Sequence, residues 1–490
     1  MKFLRPFFLT VLLLISISVI IVIGLVIYLN TQKRDERNLN LILISVDTLR
    51  PDHMGIYGYN KNTTPNIDKW AKNATVFTNV HTFIPATYPS FVELMTGESP
   101  FESKIYNNGV VGDEVYPGGK PLPNDIPLLS ELLKRNNYTT AAFITNPVLS
   151  SAYTNLNRGF DSYSLQSLWD THDTRDKYYN FIISSLDWID KNKKNKFFLW
   201  VHLLDPHAPY TPSKDLECKF NNKFCNSIEE IGLTNLEQQR KNLEGWHGIR
   251  HTLPDNTVQL FETLYDGSIA YSDRLVGKIL DKIKSAGIED KTLVVFYGDH
   301  GEGFDHNYYF THSDKLYNSS TNIPLLIKTP FNKNVGKKVN EPLQNTQIMP
   351  TILQLLNIHT DNSHLTDNSF YSLLNGGFHP FSYRNVKYTY SVNVDLTSYS
   401  ISDNRFKFIY SINKKNGNIT KELYDLVNDP KELNNVLYKI PEIGTELKIN
   451  LLSYLAQYKL PKPINKPPEQ EKANSGNAGN VIEQLKSVGY

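Results

Sequence analysis

Five short, almost wholly apolar runs set the strongest limit on what this chain can fold into. They are Leu39 to Val46, Thr139 to Thr145, Phe197 to Leu203, Thr292 to Tyr297 and Ile323 to Lys328. None alternates apolar with polar residues, so each reads as a strand buried on both faces. Between them lie stretches with helical spacing: Leu128 to Arg135, Asp176 to Lys191, and a long one from Thr257 to Ala286. Strands alternating with helices predict an α/β body with a mostly parallel central sheet and helices on both faces. In such sheets ligands bind beyond the carboxyl ends of the strands, so the residues that follow each run matter most.

Those residues are carboxylates and imidazoles. Asp47 ends the first run, Asp205-Pro-His207 follows the third, and Asp299-His300 follows the fourth, with His306 and His312 in the loop beyond. The stretch Thr82 to Gly97 adds a hydroxyl. Pro89 suits a first helical turn, Phe91, Leu94 and Met95 share a helical face, and Gly97 suits the stop. Thr87 therefore sits at or just before a helix N-terminus, where free N–H groups favour an anion. On this stretch alone it reads first as an N-cap. Asp47 also suits a turn cap, His306 a solvated loop, and Glu302 loop support. Taken together, Asp oxygens, a His nitrogen and a hydroxyl at one sheet edge are the donor set of a divalent-metal site. The ion there favours loss of the hydroxyl proton, and the choice among Mn, Zn, Mg and Ca stays open.

The rest of the chain sets the context. Its 51 basic and 50 acidic residues nearly cancel, which leaves no electrostatic footprint for nucleic acid. Residues 1–6 form a short flank, and the uncharged run 7–29 is long enough to span a bilayer as one helix. A polar tether follows over 30–38, then a catalytic α/β domain over 39–379. Residues 380–460 read as a small C-terminal α+β subdomain, from short strands near Val386 to Val392, Ser398 to Asp403 and Phe406 to Tyr410 and a helix over Glu442 to Tyr458. Residues 461–490 read as a linker and last helix. Cys218 and Cys225, the only cysteines, close a small polar loop and suit a disulfide in an oxidising compartment. These features place a single-pass protein in the cell membrane, with its body outside the cytoplasm.

Beyond single residues, a collinear set of motifs runs from Ile44 to Tyr59, through Thr64 to Asp68, Thr87 to Ser90, Leu94 to Gly97, Arg158 to Asp161 and Leu204 to Pro209. It continues through Tyr265-Asp266, Gly298 to Glu302 and Leu423 to Pro430, and ends at Gln484 to Tyr490. This set resembles the sulfatase family of the alkaline phosphatase superfamily over nearly all of residues 39–490. The resemblance implies Asp47, Asp299 and His300 as ligands of one divalent ion, together with the Thr87 oxygen. Thr87 would occupy the nucleophile position, and His207 and His312 would touch the tetrahedral group or protonate the leaving oxygen.

Two departures qualify what is implied. Sulfatases carry Cys or Ser at the Thr87 position, followed by Pro and Arg, for conversion to formylglycine; here Phe91 stands at the Arg position. Thr48 replaces the second of a paired Asp. A threonine with Asp, Asp and His ligands looks like the anchored phosphoethanolamine and glycerophosphate transferases. The expectation is therefore a membrane-anchored, metal-dependent hydrolase or transferase acting on a phosphate ester through a covalent Thr87 intermediate. Helix N–H groups would hold the equatorial oxygens, and lipid head groups or envelope glycans would be substrates. The alternatives are a true sulfatase without formylglycine and a catalytically silent binding protein.

Overall fold

The computed structural model describes residues 16–25, 39–108, 110–111, 114–115, 120–166, 174–225, 255–330, 335–360, 368–375, 388–393, 397–413 and 416–458. Most of the expected anchor at 7–29, the tether and the segment 461–490 lie outside them. Residues 16–25 are helical, with Ile20 and Ile21 exposed. No helix among the described residues is long and apolar enough to cross a membrane.

An eight-stranded sheet forms the body. In chain order its strands are β1 (Asn40–Val46), β2 (Thr75–Phe77), β3 (Thr139–Ile144), β4 (Ser162–Leu165), β5 (Phe197–Leu203), β6 (Thr292–Gly298), β7 (Leu325–Lys328) and β8 (Lys338–Val339). Their spatial order is β8-β2-β7-β6-β1-β5-β3-β4. The strands from β6 across to β4 are parallel, whereas β7 runs antiparallel between β6 and β2. Every residue of β1, β5 and β6 is buried, as their unbroken apolar runs require.

Side chains alternate between two cores. On β1, Ile42, Ile44 and Val46 enter one cluster with helices α1 (Pro65–Ala71), α4 (Thr174–Asn192) and α5 (Asp255–Ser285). Leu41 and Leu43 enter the other, with α2 (Thr87–Thr96), α3 (Leu129–Arg135) and α6 (Ile348–Leu355). This is the period of two that a doubly covered sheet imposes.

The C-terminal part is a four-stranded antiparallel sheet, β9 (Thr389–Val392), β10 (Ser398–Ser402), β11 (Phe406–Ile412) and β12 (Ile419–Asp425), covered by α7 (Pro441–Leu455). Its apolar face packs on Phe83, Ile84 and Ala86, in the loop that leads into α2. Val392 N–H donates to the Phe83 carbonyl at 2.7 Å, and Ser391 Oγ donates to the Thr82 carbonyl at 2.8 Å. The small sheet thus braces the segment that presents Thr87. Cys218 and Cys225 are joined, with Cα atoms 5.3 Å apart.

Candidate active site

The expected metal ligands stand at the carboxyl edge of the central strands. Asp47 follows β1, which is flanked by β5 and β6, and Asp299 and His300 follow β6. Thr87 is the first residue of α2, and the extended residue before it is Ala86. Thr87 is therefore not the N-cap. Helix α2 is entirely buried and ends at Gly97, whose φ of 72° only glycine adopts readily. Ser90 Oγ donates to the Asp299 carbonyl at 2.8 Å and meets Tyr297 Oη at 2.6 Å, which fixes the helix against the end of β6. At its other end, Glu93 accepts from the N–H groups of Phe83 and Ile84, at 3.0 and 3.1 Å. That ties α2 to its own entry loop.

The donor atoms converge. Ligand atoms of Asp47, Asp299 and His300 lie within 4.8 Å of one another, and all three residues are buried. His300 Nδ1–H donates to the Gly301 carbonyl at 3.0 Å, so its bare Nε2 faces the site. Nε2 lies 3.7 Å from Asp47 Oδ1, 3.7 Å from Asp299 Oδ2 and 3.3 Å from Thr87 Oγ1.

Each carboxylate is divided between two tasks. Asp47 Oδ2 accepts from Asn146 Nδ2 at 2.6 Å and meets His202 Nε2 at 3.3 Å. Asp299 Oδ1 accepts from the N–H groups of Thr48 and His300, at 3.1 and 2.9 Å. The other oxygens, Asp47 Oδ1 and Asp299 Oδ2, have no hydrogen-bond partner among the described residues. Two orphaned carboxylate oxygens facing a bare imidazole nitrogen are costly without a cation between them. The donors present therefore fit a divalent ion of the oxygen-preferring or borderline class.

Electrostatics agree with that arrangement. Burial alone would raise Asp47, but the His202 hydrogen bond and the nearby imidazoles of His207, His202 and His300 hold it below the carboxylate range. Asp299 is pushed well above that range, by burial first and by the charge of Asp47 second. Burial lowers both His300 and His207, against the opposing charge of Asp47.

His207 and His312 stand over the same centre. The His312 ring lies 4.3 Å from that of His300 and 5.2 Å from that of His207, and its Nδ1 faces Glu302 Oε1 at 3.4 Å. Glu302 is fully buried and acts on a site residue as well as on its loop. His306 is elsewhere: it stacks on Tyr317 at 3.7 Å, and its Nε2 meets the Lys431 carbonyl.

One expectation needs correcting. The start of α2 offers few N–H groups to an anion, because Tyr88 N–H is taken by Asn108 Oδ1 at 2.9 Å and Pro89 has none. The helix N-terminus can therefore supply only the N–H of Thr87 within its first three positions.

Two residues near the centre were not singled out by sequence. Asn146, capping a turn after β3, donates Nδ2 towards both Asp47 and Thr87 Oγ1 (3.5 Å) while its Oδ1 accepts from Val148 N–H. His202 lies inside an apolar strand, where its neighbours mask it. Thr48 holds φ 50°, rare for a β-branched residue. It is pinned there because its N–H serves Asp299 and its carbonyl accepts from Tyr265 Oη at 2.6 Å.

Residues 39–358 match the family described as Sulfatase. The chain belongs to the sulfatase family. A second family description, N-sulphoglucosamine sulphohydrolase, C-terminal, matches residues 305–458 of this sulfatase-family chain. Arylsulfatase K of Xenopus laevis is 24% identical over 473 residues, covering 86% of this chain and 84% of its own. The Endo-4-O-sulfatase of Bacteroides thetaiotaomicron is 24% identical and covers 84% and 92%. Among solved structures, one in complex with its substrate D-glucosamine-2-N,6-O-disulfate shares the fold at a TM-score of 0.68 and 19% identity, covering 87% of this chain and 99% of that one. The phosphonate monoester hydrolase of Agrobacterium radiobacter shares it at 0.65 and 20% identity, covering 89% and 100%. Sulfuric ester hydrolysis is the activity these comparisons support best; they lend no support to the expected transferase variant or to a membrane anchor.

Proposed function

We propose that this sulfatase-family chain hydrolyses sulfuric esters on a glycan, with Asp47, Asp299, His300 and Thr87 as its cation and nucleophile group. The observation that carries this reading is the pair of orphaned oxygens on Asp47 and Asp299 facing bare His300 Nε2, with the Thr87 hydroxyl 3.3 Å from that nitrogen. The names of the relatives, an arylsulfatase and an endo-4-O-sulfatase, support sulfate and glycan.

A bound divalent cation would neutralise the developing charge and favour the Thr87 alkoxide. Asp47 and Asp299 would hold it through their free oxygens, and His300 through Nε2. Thr87 Oγ loses its proton to solvent and attacks sulfur, the bond from sulfur to the sugar oxygen breaks, and His312, entering as imidazolium, delivers a proton to that oxygen. Glu302 is the counter-charge an imidazolium at 312 needs. His207 donates Nδ1–H to the Ala208 carbonyl at 2.6 Å, so the neutral ring carries its proton on Nδ1 and Nε2 is the nitrogen that would take a proton from water. That water attacks sulfur, the bond from sulfur to Thr87 Oγ breaks, the proton held by His207 returns to Thr87 Oγ, and hydrogensulfate leaves as His312 takes a proton from solvent. The body is placed in an oxidising compartment, a reading supported by the Cys218–Cys225 bond.

Thr87 itself favours a second reading, a phosphoric ester, because a threonine lies outside the Cys or Ser conversion expected of sulfatases. The test compares sulfated oligosaccharides and p-nitrophenyl sulfate with p-nitrophenyl phosphate, for wild type, Thr87→Ser and Thr87→Ala. Sulfate release by wild type and Thr87→Ser, lost in Thr87→Ala, is expected. Phosphate release without sulfate release would overturn the first reading in favour of the second.

A further inference from the structure

We infer that His202 is a positioning residue, held by a buried hydrogen-bond chain from Trp200 through Ser45, that reserves one oxygen of Asp47 for the cation. The inference rests on Asp47, Asp299 and His300 being the cation site.

The chain is set by strand register. Trp200 and His202 are two residues apart on β5 and share a face of the sheet, and Ser45 of β1 pairs with His202 in the parallel ladder. Trp200, Ser45, His202 and Asp47 are all fully buried. Water cannot relieve a wrong hydrogen-bond direction there.

The directions follow from the donor inventory. Indole N–H can only donate, and Trp200 Nε1 lies 2.9 Å from Ser45 Oγ. Ser45 has a single hydrogen. His202 Nδ1 is 2.9 Å away, whereas the competing Val201 carbonyl is 3.4 Å away. Ser45 therefore donates to Nδ1, Nδ1 is bare, and the neutral ring carries its proton on Nε2. That proton faces Asp47 Oδ2 at 3.3 Å. The opposite tautomer would set a bare nitrogen against a carboxylate oxygen.

Packing holds the ring in this pose. Phe91, fully buried, meets His202 edge to face at 4.9 Å and Trp200 at 4.8 Å. With Nε2–H of His202 and Nδ2 of Asn146 both on Oδ2, the Asp47 carboxylate cannot turn away from this orientation without losing two donors. Oδ1 is thereby kept for the ion. Ring-to-carboxylate partners of this kind tune affinity at metal sites.

The experiment measures Mn2+ binding by calorimetry on purified protein stripped with a chelator, for wild type, His202→Leu, His202→Gln and Ser45→Ala. It is paired with 15N NMR of the His202 ring in metal-free wild type. Leu removes the donor, Gln can place an amide N–H near the Nε2 position, and Ser45→Ala removes the tautomer lock with little loss of volume. Loss of affinity by about 10- to 100-fold in His202→Leu is expected, with recovery in His202→Gln, an intermediate value in Ser45→Ala, and an Nε2–H resonance pattern. Metal-free melting curves identify a variant that has failed to fold, in which case Ser45→Ala and the NMR tautomer decide. Wild-type affinity in Ser45→Ala and His202→Leu, or an Nδ1–H tautomer, overturns the inference. Wild type that binds neither Mn2+ nor, in the same calorimeter, Mg2+, Ca2+ or Zn2+ instead overturns the cation reading beneath it, so the two failures are distinguishable.

Discussion

At the carboxyl edge of β1 and β6, Asp47 and Asp299 are fully buried and each keeps one oxygen without a hydrogen-bond partner among the described residues. At the seam with the C-terminal sheet, Lys407 and Glu432 are almost equally buried, but there the carboxylate faces an ammonium. Lys407 Nζ donates to Asn318 Oδ1 at 2.9 Å and Thr321 Oγ1 at 3.3 Å, and its charge is paired with that of Glu432, whose Oε1 lies 3.2 Å away. Burial drives Lys407 down and Glu432 up, and each is opposed by the other's charge. One cluster gathers two carboxyl groups with no lysine or arginine paired to them among the described residues; the other carries its own counter-ion. Buried charge alone therefore does not mark a site, whereas buried charge with the wrong sum does.

The sharpest way to break this contrast is at Thr87. Its hydroxyl is the one nucleophile-type group within hydrogen-bond reach of His300 Nε2 among the bonds described. Thr87→Ala is expected to lower kcat by roughly 10^3-fold or more, as loss of an attacking group does, with Mn2+ affinity reduced far less. Steady-state kinetics on a sulfate ester beside calorimetry check both. Retention of full turnover would mean that the site works through water alone.

Next comes the seam. Lys407→Met leaves Glu432 buried without its counter-charge and is expected to cost about 3–5 kcal/mol in urea unfolding. Adding Glu432→Leu should restore most of that loss, because a matched apolar pair replaces a matched ionic one. Neither change is expected to alter Mn2+ affinity. A cation-affinity change in Lys407→Met would show that the two clusters are coupled through the loop between them.

A third buried carboxylate lies between the two cases. Glu93 is met by neutral donors only, the N–H groups of Phe83 and Ile84 and the hydroxyl of Thr82. Burial pushes it up to about 8, from 4.5, against those hydrogen bonds. With the folded value raised, the folded protein keeps a proton that the unfolded chain releases. Stability therefore falls as pH rises from about 4.5 to about 8, and is level in this respect beyond. Melting temperature measured across that window should decline with pH in wild type and decline less in Glu93→Gln. An identical slope in the two proteins would remove Glu93 as its source.

How much of this was legible in the sequence depends on how many faces each element buries. Strands β1, β5 and β6 bury both faces, so their apolar runs announced them, and the residues at their ends gave Asp47, Asp299, His300 and His207 directly. Strand β12 is exposed over its first half, and β2, β4 and β8 are only two to four residues long, so none carries a pattern strong enough to read. The run from Ile323 to Lys328 was found, but its antiparallel sense is set by neighbours and not by composition. His202 was hidden for the opposite reason: an apolar strand does not advertise its one polar member, and only register reveals that Ser45 lies beside it. The supply of N–H groups at α2 was overestimated because Asn108, distant in the pattern, takes one of them.

The smallest effect is expected where the linkage is covalent. Cys218 and Cys225 are seven residues apart, so their bond closes a short loop and restricts the unfolded chain little. The loop also has a second hold on the body. Leu216 and Phe224 are buried in the same core as α5, and partly buried Cys218 and Phe220 pack against it. Packing would therefore keep the loop in place after reduction. The double variant Cys218→Ser, Cys225→Ser is expected to lose about 2 kcal/mol or less in urea unfolding, with Mn2+ affinity unchanged. If KM for a sulfated oligosaccharide rises while Mn2+ affinity holds, the loop after His207 contacts substrate, and the covalent link serves the site as well as the fold.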